Sequence, residues 1–279
     1  MEQTQNSGAV DVARDYYNSG DADNFYYSIW GGEDIHIGLY RDPEEDIATA
    51  SRRTVRTMAS RLEGLGPDIR VLDLGAGFGG AARWLAQNFG CRVTALNLSE
   101  VQNRRDRQMN QEQDLDHLVE VVDASFEDVP RPDGVYDVVW SQDAILHSAD
   151  RTRVMDEVRR VLKPGGQLVF TDPMAAEDCP AQVLQPILDR IHLENLGSPG
   201  FYRQTLGERG FQDLGFDDHT KQLVTHYTRI LEETESREDE LRDTVSQEYI
   251  DNMKKGLRHW MDGGEKGYLA WGIFNYKLA

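Results

Sequence analysis

Cysteine is nearly absent: Cys91 and Cys179 are the two in 279 residues, and neither belongs to a C-x-x-C pair. That excludes a disulfide framework and suits a reducing compartment. No stretch approaches the roughly 18 apolar residues of a membrane helix, and the first residues lack the basic and apolar regions of a secretion signal. Lysine is scarce as well. The 30 basic residues are 24 Arg and 6 Lys, set against 49 Asp plus Glu. The net charge of −19 disfavours nucleic acid and anionic membranes as partners, because both present negative surfaces. An acidic, lysine-poor surface holds water and repels itself until salt screens it, which fits a salt-rich cytoplasm. An ordinary acidic enzyme would carry the same sign of charge. No repeat or low-complexity segment occurs. The expectation is a cytoplasmic protein, a monomer or weak dimer, without a metal site.

Against these absences, one run stands out: Val71-Leu72-Asp73-Leu74-Gly75-Ala76-Gly77-Phe78-Gly79-Gly80. A buried strand ends in a glycine-rich turn, and a helix pattern follows with Ala81, Ala82, Trp84, Leu85 and Ala86. Glycines let the backbone turn tightly and approach a ligand closely. The spacing Gly75-x-Gly77-x-x-Gly80 also satisfies the dinucleotide fingerprint, so it does not decide the ligand. Asp73 does. A carboxylate beside a helix N-terminus would repel a pyrophosphate but suits a cation such as S-adenosylmethionine, which carries an ammonium and a sulfonium.

Strands are expected at 70–74, 92–97, 118–122, 135–140 and 166–172, with helices at 79–89, 99–113 and 151–162. This alternation predicts an α/β fold, a Rossmann-like doubly wound and mostly parallel sheet. Lys163-Pro164-Gly165-Gly166 reads as a stop and turn before the fifth strand. An amphipathic helix is expected over 45–65, helices over 181–196, 201–210, 219–235 and 237–260, and a closing strand over 267–277. The chain then divides into an N-terminal helical and aromatic cap (1–62), a Rossmann-like core (63–177), and a helical insertion with closing strands (178–279).

Ligands of an open parallel sheet bind outside the carboxyl ends of its strands. That rule selects Asn97 after the second strand, Asp123 and Ala124 after the third, Ser141, Gln142 and Asp143 after the fourth, and Asp172 after the fifth. Asn97 stands where an acid commonly holds ribose hydroxyls, and a carboxylate at Asp123 can accept from an adenine amine. Any one of these residues could instead cap a loop.

The glycine loop, Asp123, Tyr136-Asp137-Val138-Val139-Trp140-Ser141 and Val161-Leu162-Lys163-Pro164-Gly165-Gly166 resemble the motifs of class I S-adenosylmethionine-dependent methyltransferases over about residues 65–175. A narrower resemblance covers nearly the whole chain. Phe25-Tyr26-Tyr27-Ser28-Ile29-Trp30-Gly31-Gly32-Glu33-Asp34-Ile35-His36-Ile37-Gly38-Leu39-Tyr40, with the Trp271-containing strand, is similar to sarcosine/dimethylglycine N-methyltransferases, which make glycine betaine. The resemblance implies S-adenosylmethionine as donor, with S-adenosylhomocysteine as product. It places Asp73, Gly75, Gly77, Asn97, Gln102, Asp123, Ala124 and Gln142 on the donor.

Ser141-Gln142-Asp143-Ala144-Ile145-Leu146-His147 further resembles phosphoethanolamine N-methyltransferases. That likeness implies Asp143 and His147 in the amine pocket, with Tyr26 paired to the histidine as a third catalytic residue. Gln142 stands where that family often has arginine. On the substrate side the expected residues are Tyr27, Trp30, His36, Asp172 and Arg203.

Methyl transfer is an in-line displacement, so positioning supplies most of the acceleration. The amine must lose its proton, and His147, titrating near neutrality, suits that task. Asp143 would hold the ammonium form. A quaternary ammonium product cannot donate a hydrogen bond and is best met by aromatic faces such as Tyr26, Tyr27 and Trp30. For the substrate carboxylate, Arg41, Arg203 and Arg229 lie in or near the cap segments, and the sequence does not choose among them. Other acceptors (a phosphobase, a sugar hydroxyl, glycine) and a silent donor-binding module are the alternatives.

Overall fold

The computed structural model describes residues 14, 18–180, 182–191 and 193–279. Among the described residues, helices α1 (Gly20–Ile29) and α2 (Ile47–Ala59) precede the sheet. In α1 the Ser19 side chain caps the first turn, accepting from Ala22 N–H at 3.1 Å. In α2 Asp46 does the same for Thr49 N–H at 2.8 Å. The alternating unit follows: β1 (Arg70–Leu74), α3 (Gly80–Phe89), β2 (Arg92–Asn97), α4 (Glu100–Glu112), β3 (Val119–Asp123), β4 (Tyr136–Gln142), a 3₁₀ turn (Ile145–His147), α5 (Arg151–Val161) and β5 (Leu162–Thr171). The remainder runs β6 (Met174–Ala175), α6 (Gln185–Ile191), α7 (Pro199–Glu208), β7 (Phe211–Asp218), α8 (Thr220–Ser236), α9 (Glu238–Leu241), α10 (Gln247–Glu265), β8 (Leu269–Ala270) and β9 (Gly272–Leu278).

The main sheet has the order β3-β2-β1-β4-β5-β9-β7. β1 to β5 are parallel, and β9 runs antiparallel to both its neighbours. Val71, Leu72 and Leu74 of β1, Val138, Val139 and Trp140 of β4, and Val169 and Phe170 of β5 are at most 1 % exposed. Near-continuous apolar runs of this kind belong to strands covered on both faces, which is why the sequence pattern reveals them. An apolar cluster joins Phe25 and Ile29 of α1, and Trp30 at its end, to Ile230 and Leu231 of α8 and to Ile250, Met253 and Leu257 of α10. The two ends of the chain thus build one cap.

Several expectations change. β7 is a strand where none is expected, because it is an edge strand with only Phe211 buried and Asp213, Asp217 and Asp218 along it. The closing strand is split at Trp271, whose side chain turns away to a carboxylate described below. The helix over 237–260 is broken, with Ser246 capping a fresh start at Gln247. The helix over 181–196 shortens to Gln185–Ile191, and positions 181 and 192 lie outside the described residues. The expected Lys163–Gly166 turn becomes a bulge inside β5: the register on β4 jumps from Tyr136↔Leu162 to Val138↔Gln167.

Candidate functional site

Strand order reverses between β1 and β4, the switch point at which open α/β sheets bind ligands. Ser141 Oγ ties the two strands together, donating to Leu74 O at 2.9 Å. The crevice is too narrow for side chains. Gly75 has φ 74°, and a Cβ there would lie 2.3 Å from Ala144 Cβ. Gly77 has φ 57°, and its Cβ would press on Ile35 at 2.9 Å. Both positions therefore require glycine, for conformation and for space.

Gly75 and Gly77 floor an outer cavity. Asn97, Leu98, Ser99 and Gln102 form one wall, and Ser125, Phe126 and Glu127 another. Asn97 Nδ2 donates to Gln102 Oε1 at 3.0 Å and Asn103 Oδ1 at 3.1 Å, which orients the amides at the end of β2. Gln102 Nε2 and Gln142 Nε2 are buried with no hydrogen-bond partner among the described residues. Buried amides of this kind are costly unless a ligand meets them.

Asp73 does not itself line this cavity. It is 3 % exposed, and its Oδ2 also has no partner among the described residues. Burial, with the charges of Asp106 and Asp34 added, pushes its pKa up to about 8. The buried Arg83 neutralises part of this acidic cluster, 2.7 Å from Asp106 and 3.1 Å from Glu33.

An inner cavity adjoins the first. Tyr26 of α1 and Trp30 at its end, His226 and Tyr227 of α8, and Met253, Leu257 and Trp260 of α10 line it, with His36, Leu146, Pro173, Arg190 and Ile191. Arg190 is its one arginine or lysine among the described residues, and Nη2 lies 2.6 Å from Met253 Sδ. Aromatic edges converge there, with Tyr26 on Trp30 at 4.8 Å and Tyr227 on Trp260 at 5.5 Å between ring centres.

Three residues line both cavities: Ile35, Asp143 and His147. Asp143 follows β4 in the left-handed region, φ 50°, a conformation short polar side chains tolerate. Its Oδ2 accepts Ile37 N–H at 2.7 Å; its Oδ1 accepts Thr171 Oγ1 at 2.8 Å and Trp271 Nε1 at 2.7 Å. Burial raises its pKa, against the lowering effect of His36 and of these three donors. His147 behaves unlike the sequence expectation of a near-neutral base. Burial, with the charges of Arg151 and Arg190 added, pushes it down to about 4. It is a neutral imidazole at physiological pH.

Several expected residues fall elsewhere. The Asp123 carboxylate meets the protein on both oxygens: Asn103 Nδ2 donates to Oδ1 at 2.7 Å, and Arg107 holds Oδ2. Neither it nor Ala124 lines the outer cavity; the next three residues do. Tyr27 is 41 % exposed, beneath the Arg105 guanidinium rather than in the inner cavity. Asp172 is fully buried and structural, accepting Leu146 N–H at 2.8 Å and Tyr202 Oη at 2.6 Å. It therefore steadies the turn that carries His147. Arg203 is 50 % exposed, 3.6 Å from Asp213, and none of Arg41, Arg203 and Arg229 lines the inner cavity. Sequence reasoning missed Arg190, His226, Tyr227 and Trp260, which only the packing of α6, α8 and α10 brings together. Phe126 and Glu127 had a signal, since they follow a strand end.

Residues 72–170 match a family model described as a methyltransferase domain. A sarcosine/dimethylglycine N-methyltransferase of Halorhodospira halochloris is 64% identical over 269 residues, 96% of this chain and 96% of that protein. Another, of Aphanothece halophytica, is 53% identical over 98% of this chain and 99% of its own length. The crystal structure of a Galdieria sulphuraria protein assigned as a sarcosine dimethylglycine methyltransferase aligns with a TM-score of 0.89 at 43% identity, covering 94% of this chain and 98% of that one.

Proposed function

The chain belongs to the sarcosine/dimethylglycine N-methyltransferases, and on that premise we propose how its residues divide the reaction. The enzyme methylates sarcosine to dimethylglycine and dimethylglycine to glycine betaine, with S-adenosylmethionine as the methyl donor. The outer cavity fits that donor: a floor only glycines can form, two unpartnered buried amides, and a buried carboxylate below for its ammonium. Asn97 and Gln102 would hold the ribose, and Leu98 and Phe126 would enclose the adenine. When bound, the donor supplies a sulfonium methyl that an amine lone pair displaces in line.

One observation carries the rest: Ile35, Asp143 and His147 belong to both cavities, so the amine and the methyl meet there. A carboxylate has about four acceptor positions, and Asp143 has three filled. The position left on Oδ2 receives the substrate N–H. Its raised proton affinity lets Asp143 take that proton, which frees the nitrogen lone pair; with sarcosine, which has a second N–H, the neutral His147 accepts that bond and aims the lone pair. The roles expected of the two are thereby exchanged. Tyr26, Trp30, Tyr227 and Trp260 surround the growing methylammonium, where aromatic faces replace lost hydrogen bonds. Arg190 pairs with the substrate carboxylate.

The three donors to Asp143 come from the cap (Ile37), the core (Thr171) and the C-terminal part (Trp271). Each of the segments 1–62, 63–177 and 178–279 thus contributes to one site. Asp143→Asn tests the assignment, since asparagine tolerates the left-handed backbone. It should lower kcat/KM for dimethylglycine at least ~10²-fold, as losing a positioned acid–base group does. Donor affinity should move less than about threefold, under ~0.7 kcal/mol. A folded Asp143→Asn enzyme with near-normal turnover refutes these roles.

A further inference from the structure

His226 of α8 is fully buried and lines the inner cavity, yet the reaction described above does not use it. Its Nδ1 receives the Gly38 backbone N–H at 3.2 Å and lies 2.8 Å from Tyr40 Oη. A backbone N–H can only donate, so Nδ1 carries no proton, and the Tyr40 hydroxyl must donate to it as well. The proton of the neutral ring is therefore fixed on Nε2. Burial, with His36 adding to it, pushes the pKa of His226 down to about 3, so the ring stays neutral. Nε2 is buried and has no hydrogen-bond partner among the described residues. Trp30 and Tyr227 pack edge-on against the ring, each 5.8 Å away between centres, and hold its plane. A donor oriented on both sides and left unmet has a cost, about 1–3 kcal/mol when buried.

We propose that His226 is a specificity residue whose Nε2–H donates to a carboxylate oxygen of the amino-acid substrate. The inference rests on reading the inner cavity as the amine pocket. In that pocket a neutral donor has one use. The substrate nitrogen gives its N–H to Asp143 and its lone pair to the methyl, and the quaternary product has no acceptor nitrogen. Carboxylate oxygens are the remaining acceptors of sarcosine, dimethylglycine and glycine betaine. Arg190 supplies charge to that group, while the fixed imidazole supplies direction. Because the tautomer is set by a backbone N–H, this donor persists at any pH at which the fold survives. A small amine without an acceptor would leave Nε2–H unmet, so the pocket selects against it.

The test uses the full-length protein, labelled with ¹⁵N in histidine and tryptophan and saturated with S-adenosylhomocysteine. Nε2 should carry the proton from pH 6 to 9. Dimethylglycine should shift the His226 Nε2 signals, whereas N,N-dimethylethylamine should not. In steady state His226→Leu should raise KM for dimethylglycine about 10- to 100-fold with kcat within threefold, the size of a lost hydrogen bond to a charged group. His226→Gln, which keeps an N–H donor, should recover most of that loss, a pattern that a packing role would not give. Finding the proton on Nδ1, or equal KM for the Leu and Gln variants, overturns the proposal. Dimethylglycine that moves the Trp30 indole signal but not Nε2 overturns it too, while leaving the pocket in place. Dimethylglycine that moves neither, with KM unchanged in Arg190→Leu, overturns the pocket reading and the proposal together. Should His226→Leu not fold, the titration of the wild-type enzyme decides.

Discussion

Donor binding should be linked to a proton through Asp73. Without ligand this carboxylate has a pKa of about 8 and an Oδ2 with no partner among the described residues. About one molecule in ten then has Asp73 ionised at pH 7, and about one in a hundred at pH 6. A donor ammonium that pairs with Oδ2 selects the ionised form. The proton is held in the free enzyme and lost in the complex, so affinity rises with pH and levels off near 8. Between pH 6 and 7 the dissociation constant should fall roughly ninefold, or ~1.3 kcal/mol, with nearly one proton released. An α-amino group, with a pKa of about 8, stays mostly charged over that range. Titration calorimetry with S-adenosylhomocysteine, in two buffers of different ionisation enthalpy, measures both quantities. Asp73→Asn should abolish the dependence, costing little at pH 6 and most near pH 8. Wild-type affinity that is flat from pH 6 to 7, with no proton released, would show that the ammonium does not meet Asp73.

His147→Asn should lower kcat roughly 10²-fold, as misplacing a reacting nitrogen does, and the wild-type kcat profile from pH 6 to 9 should show no histidine step, because His147 titrates near 4. Tyr202→Phe removes the donor to Asp172 Oδ2; leaving that buried oxygen unmet should cost about 1–3 kcal/mol in urea unfolding. With a net charge of −19, the melting temperature should rise in potassium chloride as the Debye length contracts from ~10 Å at 0.1 M to ~3 Å at 1 M. A flat curve would remove the salt-adaptation argument and nothing else.

The parallel strands and the glycine turn are legible because their causes are local: both-face burial leaves apolar runs, and Gly75 and Gly77 are forced by conformation within one loop. β7 is not legible, since an edge strand exposes most of its side chains and needs no apolar alternation. The strand-end rule located Asp123, Asp143 and Asp172 equally well. It says where the chain emerges, not what waits there. Arg107 reaches Asp123 from α4 and Tyr202 reaches Asp172 from α7, contacts that only the packing supplies. Arg190 was hidden among 24 arginines, and His226, Tyr227 and Trp260 carry only a helical pattern until α8 and α10 pack on α1.

The carboxylate of Asp143 is also a timer. Its donors stand at positions 37, 171 and 271, so its environment exists only when the first and last parts of the chain have met across the sheet. Contacts of such long sequence separation form late, after their loop-closure entropy is met. During synthesis the glycine loop and strands β1 to β5 can assemble first, as N-terminal structure does, whereas Trp271 must leave the ribosome before Asp143 is complete. Donor capture and methyl transfer should therefore mature separately in the growing chain. A molecule stalled or cut before Trp271 could hold S-adenosylmethionine and spend none of it, so the entry into the last strand commits the enzyme to chemistry.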